Sequence, residues 1–275
     1  MDKCYRFGRP QFTARVFSMS RLAEFSALLL DARAGAQQAH CKAKALPLQG
    51  RLPTAGASLS DGWARSIDEV LPDGGLPRGA VVEVASSRGL ARATSLALLA
   101  CSAAQQEARL RSGDPLTVGA WCAFVDPWAT LHAPALTANR VDLSRLLVVR
   151  PPLDAIARVA VRIAESRAFT LVAVDTVGVP GAAGFPGALL AASHLVDSVR
   201  LERWPTVVRR LAIAVERTDT TVVLLTDSAS HRALPLPVSL RLELTRQLTS
   251  GGGQWLVRVA KERHGRVGSP VAIAS

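Results

Sequence analysis

From Ala80 onward, short and almost unbroken apolar runs alternate with longer stretches whose apolar residues recur at three- and four-residue spacing. The short runs, at 80–85, 118–125, 145–149, 171–175 and 221–226, predict strands. The stretches at roughly 91–111, 129–139, 153–167 and 204–217 predict helices. Strands that are apolar on both sides need cover on both faces, and intervening helices supply it. The pattern therefore predicts an α/β core with a mostly parallel central sheet. Near the end the period changes. "VSLRLELTRQ" and "QWLVRVAKE" alternate apolar with polar, and "TSGGG" joins them, which predicts an antiparallel C-terminal hairpin on the sheet edge.

The N-terminal part reads differently. Leu22, Phe25, Leu28 and Leu29 recur at helical spacing, predicting an amphipathic helix from Ser20 to about Arg33. Residues 45–62 are rich in Pro, Gly and Ser and read as a linker. The predicted organisation is a disordered arm at 1–18, an N-terminal helical segment at 19–44, the linker at 45–62, and a core at 63–275 without a separate C-terminal domain. Met19 is an alternative start to Met1.

Composition narrows the class. In 275 residues, 49% hydrophobic, no apolar run approaches the roughly 18 residues of a membrane span. The first residues show neither the apolar core nor the cleavage pattern of a secretory signal. Cys4, Cys41, Cys101 and Cys122 have no C-x-x-C spacing, and the latter two lie in apolar segments. Reduced core thiols, and so a cytoplasmic protein, are expected. His40, His132, His194, His231 and His264 are scattered without metal-ligand spacing. "TDSASHR" at 226–232 has Ser, Asp and His but no nucleophile elbow, so it does not read as a hydrolase site. The net charge is +11, and 29 of the 33 cationic residues are Arg. Arg suits phosphate contacts, so nucleic acid or an acidic partner is one reading; the other is a GC-rich genome favouring Arg and Ala throughout.

The chemistry turns on "VVEVASSRGLARATSLALLA", Val81 to Ala100, a strand, a small-residue turn and a helix. That is the outline of a phosphate-binding loop. Such a loop reads G-x-x-x-x-G-K-[ST]: glycines let backbone N–H groups wrap the phosphates, the Lys reaches the β/γ oxygens, and the hydroxyl holds magnesium. With its upstream context, "LPDGGLPRGAVVEVASSRGLARATSLALLA" resembles the RecA recombinase core, with Gly79, Val82, Glu83 and Val84 matching a "G-x-(V/I)-x-E-(I/V)" pattern. On that frame Ser86 falls at the first loop glycine, Ala91 at the second, Arg92 at the lysine and Ala93 at the metal-binding hydroxyl. Thr94 falls one residue beyond. A Cβ at both glycine positions stiffens the loop. The planar Arg fork does not fit a lysine pocket, and Ala ligates no metal.

Three further stretches agree with the resemblance. "WCAFVDPWATL" looks like the RecA strand ending C-A-F-I-D-A-E; Asp126 is kept, but Trp128 replaces the water-activating glutamate and cannot act as a base. "FTLVAVDTVG" is Walker-B-like, with Asp175 at the place of the magnesium-linked aspartate. An Asp ending a buried strand is also a common structural feature. "TVVLLTD" matches the strand ending in a nucleotide-sensing glutamine, with Thr226 in that place.

The resemblance spans about residues 65–270. A short RecA-like chain with lost nucleotide motifs is similar to the ImuA family, whose members are RecA-like, SOS-mutagenesis-associated proteins also labelled SulA-like. That resemblance implies a RecA-like fold, no ATPase activity, no cofactor and no metal. It also implies a role in SOS-induced damage tolerance beside RecA, an ImuB-type inactive Y-family polymerase and an error-prone replicative-type DNA polymerase complex, in the cytoplasm at the nucleoid. A divergent RecA-like ATPase binding DNA and an SOS cell-division inhibitor are the alternatives. Candidate contacts to DNA or a partner are Arg200, Arg203, Arg209 and Arg210, and Lys261, Arg263 and Arg266 near the end. A solvated helix face is the equal alternative reading of these residues. "GVPGAAGFPGALLAAS" at 178–193 occupies the loop that carries DNA contacts in RecA proteins, and its Gly/Pro content predicts mobility.

Overall fold

The apolar runs assemble as predicted. The computed structural model describes residues 15–17, 45–48, 59–86, 92–112, 120–177, 204–228, 235–249 and 252–273. In chain order these hold β1 (Arg15–Phe17), β2 (Ala45–Leu46), α1 (Leu59–Val70), β3 (Leu76–Pro77), β4 (Ala80–Ser86) and α2 (Arg92–Ser112). Then come β5 (Cys122–Val125), α3 (Ala133–Ala138), β6 (Leu146–Val149), α4 (Ile156–Glu165), β7 (Leu171–Asp175) and α5 (Trp204–Val215). β8 (Thr221–Asp227), β9 (Leu240–Thr249), β10 (Gly252–Glu262) and β11 (Val271–Ile273) complete the chain.

Among the described residues a nine-stranded sheet runs in the order β1-β6-β5-β7-β8-β4-β9-β10-β11, parallel from β1 through β9 and antiparallel thereafter. The central strands β4 and β8 are buried at every residue, which is why they read as unbroken apolar runs. Alternate residues feed two cores. Val82, Val84, Val223 and Leu225 face α1 and α2, while Val81, Val222 and Leu224 face α4 and α5. The result is a mixed α/β fold with a mostly parallel sheet between helices and antiparallel C-terminal strands. Among the described residues no helix is long and apolar enough to cross a membrane.

Two glycines fix the approach to β4. Gly79 has φ +61°, and a Cβ there would stand 2.9 Å from the Thr218 carbonyl oxygen. A Cβ on Gly75 would stand 2.4 Å from the Leu46 carbonyl oxygen. The second contact revises the linker reading. Ala45–Leu46 pairs antiparallel with Leu76–Pro77, Leu46 and Leu48 are buried, and the Leu48 N–H donates to the Asp68 carboxylate at 2.9 Å. Helix α1 begins at Leu59, inside the same stretch. Buried leucines and the Trp63 side chain outweigh the turn-forming composition there; residues 49–58 lie outside the described residues.

Other boundaries shift for similar reasons. Part of the predicted arm, Arg15–Phe17, adds in parallel to the free edge of β6, whose backbone groups would otherwise lack partners. The predicted hairpin forms, with an irregularity between Val259 and Lys261, but it is not itself the edge. β9 pairs with β4, and β11 adds beyond β10. The predicted helix at 20–33, the 178–193 loop, Ala91, Arg200 and Arg203 lie outside the described residues.

Candidate functional site

Strand β4 delivers Ser86 to the C-terminal edge of the parallel sheet, where open α/β folds bind their ligands. Ser86 is buried, and its carbonyl accepts from the Ser228 N–H at 3.0 Å. The chain re-enters the described residues at Arg92, the first residue of α2. Its guanidinium carbon lies 5.4 Å from the Trp63 ring centroid and 5.5 Å from that of Trp255. One indole comes from α1 and the other from β10, and both are buried. The residue aligned with the phosphate-binding lysine is thus held by two aromatic faces. Such contacts are each worth about 0.5–2 kcal/mol. Ala93 is packed in the core beneath α2, and Thr94 is half-buried.

At the ends of the neighbouring strands β5 and β7 lie two buried carboxylates, Asp126 and Asp175. Asp126 Oδ1 accepts from the Thr130 N–H at 2.8 Å and from the Thr130 hydroxyl at 3.0 Å; Oδ2 accepts from the Leu131 N–H at 3.2 Å. Arg150 approaches Oδ2 at 3.5 Å. Asp126 therefore organises the turn that follows its own strand. Asp175 accepts from the Val177 N–H at 2.9 Å, and its other oxygen lies 3.4 Å from the Thr130 hydroxyl. Thr130, which sequence reasoning did not single out, joins the two acids. Trp128 sits in the intervening turn with its indole N–H buried and without a hydrogen-bond partner among the described residues. An indole there offers no proton acceptor for a water.

Thr226 and Glu83, two motif positions, meet in the sheet. The Thr226 hydroxyl donates to Glu83 Oε1 at 2.7 Å, and both side chains are buried. Arg241 Nε stands 3.9 Å from the other Glu83 oxygen, and Arg241 also pairs with Glu243 at 3.2 Å. Glu243 in turn accepts from Arg258 at 3.0 Å, carrying the charge chain out to solvent. A buried carboxylate is tolerable where hydrogen bonds and a cation surround it.

The basic candidates separate. Arg209 and Arg210 are exposed on α5, and Arg210 pairs with Glu165 of α4 at 3.4 Å. The Lys261 ammonium donates to the Leu236 carbonyl at 3.1 Å, and Arg263 is exposed. Arg266 is a clip. It donates to both Asp73 oxygens at 3.0 Å, to the Pro72 carbonyl at 3.2 Å, and to Glu262 at 3.2 Å. Its guanidinium holds the Asp73 carboxyl below the usual carboxylate range and is the leading cause lowering Glu262 to about 2.

No family model matches the chain, and no curated protein sequence matches it. The chain is similar in structure to a KaiC-like protein from the hyperthermophilic archaeon Pyrococcus horikoshii. Identity is 14%, the match covers 74% of this chain and 89% of that one, and the TM-score is 0.47. The functional reading therefore rests on this chain's own residues.

Those residues give the strand ends two buried acids and one stacked cation. Among the described residues no three His, Cys, Asp or Glu side chains come together in a group able to hold a metal. Of the motif positions, the structure joins Glu83 with Thr226, and Asp126 with Asp175 through Thr130. Sequence reasoning missed the partners of Arg92. The available signal was on α1, where Trp63, Ile67 and Val70 recur at helical spacing and predict a buried indole.

Proposed function

We propose that this chain is a non-catalytic RecA-like accessory protein in SOS-induced DNA damage tolerance and error-prone translesion synthesis. It acts by binding RecA, an ImuB-type polymerase relative, or both, and so reaches the error-prone replicative-type DNA polymerase complex at the nucleoid. The observation that carries this reading is the stacking of Arg92 between Trp63 and Trp255. The guanidinium aligned with the lysine is engaged by two ring faces, and Ala93 and Trp128 supply neither metal ligand nor base. What remains is a fold offering surfaces, and a fold does not by itself confer a reaction.

The test pairs two measurements. Millimolar ATP with magnesium is expected to leave the melting temperature unchanged, and immobilised RecA or ImuB is expected to retain the protein. Retention by neither overturns the reading. The buried Asp126 and Asp175 at the strand ends favour a second one, a divergent RecA-like ATPase binding DNA. It predicts a nucleotide-dependent thermal shift that Arg92→Ala abolishes.

A further inference from the structure

At one margin of the sheet β11 pairs with β10, and among the described residues no strand pairs with its other side. Helix α1 covers this end only in part. Ile273 is buried in the same core as Trp255 and Val257, but Val271, two residues earlier on the same face, is 46% exposed. Val267, in the segment leading into β11, is 63% exposed. These are two of the four large hydrophobics exposed among the described residues. Between α1 and β11 they line a groove of about 480 Å³, with Val70 and Val259 adding to its apolar lining. Clefts of roughly 300–1,000 Å³ are the size that holds a ligand.

Two observations select the occupant. The first is the edge itself, whose open backbone groups are matched by another extended chain. With three residues at about 3.4 Å each, β11 is too short for a second copy. Pairing over that length buries far less than the roughly 1,600 Å² of a stable protein interface, whereas a short segment matches it. The second observation is charge. Glu69 and Arg266 are the charged residues that line the groove. Every N–H of the Arg266 guanidinium is committed, to Asp73, Glu262 and the Pro72 carbonyl. Glu69 is exposed on α1 and makes no ion pair among the described residues. The charge left to offer is therefore negative, and it suits a cation on the incoming chain.

We propose that the α1–β11 groove captures a short extended segment of a partner protein, which adds as a strand to β11. The segment sets an apolar side chain against Val267 and Val271 and presents a Lys or Arg to Glu69. Main-chain hydrogen bonds hold it, and the groove reads alternate side chains, because successive residues of a strand face opposite ways. The surface rests on the partner-binding reading and names its chemistry, yet the two fail separately. Retention by RecA or ImuB without peptide capture would sink the groove alone, and capture without retention would sink only that reading.

The probe is a fluorescent peptide of alternating Leu and Lys. Its control is the same peptide N-methylated at the inner residues, which removes the N–H donors. Binding to the full chain is followed by anisotropy in low and in physiological salt. The expected affinity falls about tenfold on N-methylation and about tenfold in V267D/V271D. It falls about threefold in Glu69→Gln, a difference that fades with salt, and is unchanged in Ile213→Asp on the opposite face of the sheet. Val271→Thr, with unchanged circular dichroism and a smaller loss, guards against misfolding. Equal affinity for the two peptides overturns strand addition, and equal affinity of wild type and V267D/V271D overturns the site. No binding at millimolar peptide overturns both. A concentration-dependent dimer abolished by V267D/V271D also overturns the proposal, by making the occupant a second copy.

Discussion

Removing the Arg92 guanidinium leaves Trp63 and Trp255 facing an emptied slot. Arg92→Ala is expected to lower stability by about 1–3 kcal/mol in urea titrations, and Arg92→Lys by less, because a point charge keeps part of the attraction without the planar overlap. Thr226→Val deprives Glu83 of its hydroxyl donor in a buried setting, and about 2 kcal/mol of destabilisation is expected in the same assay. The Arg266 clip carries a pH signature. Glu262 is lowered from 4.5 to about 2, and Asp73 is lowered too, so the stabilisation is present above the unfolded value near 4.5. It is lost as pH falls from there towards about 2. Melting curves across that window should show a smaller decline in Arg266→Ala than in the wild type, starting from a lower value at neutral pH.

Among the elements, β4 shows how a single residue admits a strand to a sheet centre. Gly79 turns at positive φ directly under the end of α5, with backbone oxygens where a side chain would go. Gly79→Ala should therefore cost at least about 1 kcal/mol in thermal or urea denaturation. The strands from β4 to β8 were legible because full burial writes itself as continuous apolar sequence, and Gly79 was legible as part of a motif. The segment from Ala45 was not, because Pro, Gly and Ser signal local turns while the burial of Leu46, Leu48 and Trp63 depends on distant residues. β11, at three residues, is too short for an alternating pattern to register. At the candidate site, the replaced loop positions were visible in sequence. The Trp63–Arg92–Trp255 stack was not, since its members come from α1, α2 and β10 and meet only in the folded chain.

Over the whole molecule, one sheet separates two cores, and both are anchored by the same strands. Phe124 belongs to one core and Phe169 to the other. Phe124→Ala and Phe169→Ala should each cost about 3–5 kcal/mol and move one shared unfolding transition. Two separable transitions in calorimetry would contradict this coupling. The stack at Arg92 has a temporal consequence under the proposed function. Nucleotide hydrolysis gives a protein an internal clock, since binding and release are forced by turnover. If, as proposed, this chain hydrolyses no nucleotide, it runs no such clock. Its dwell time on a partner is then set by dissociation rate and abundance, and control over when it acts passes to synthesis and degradation.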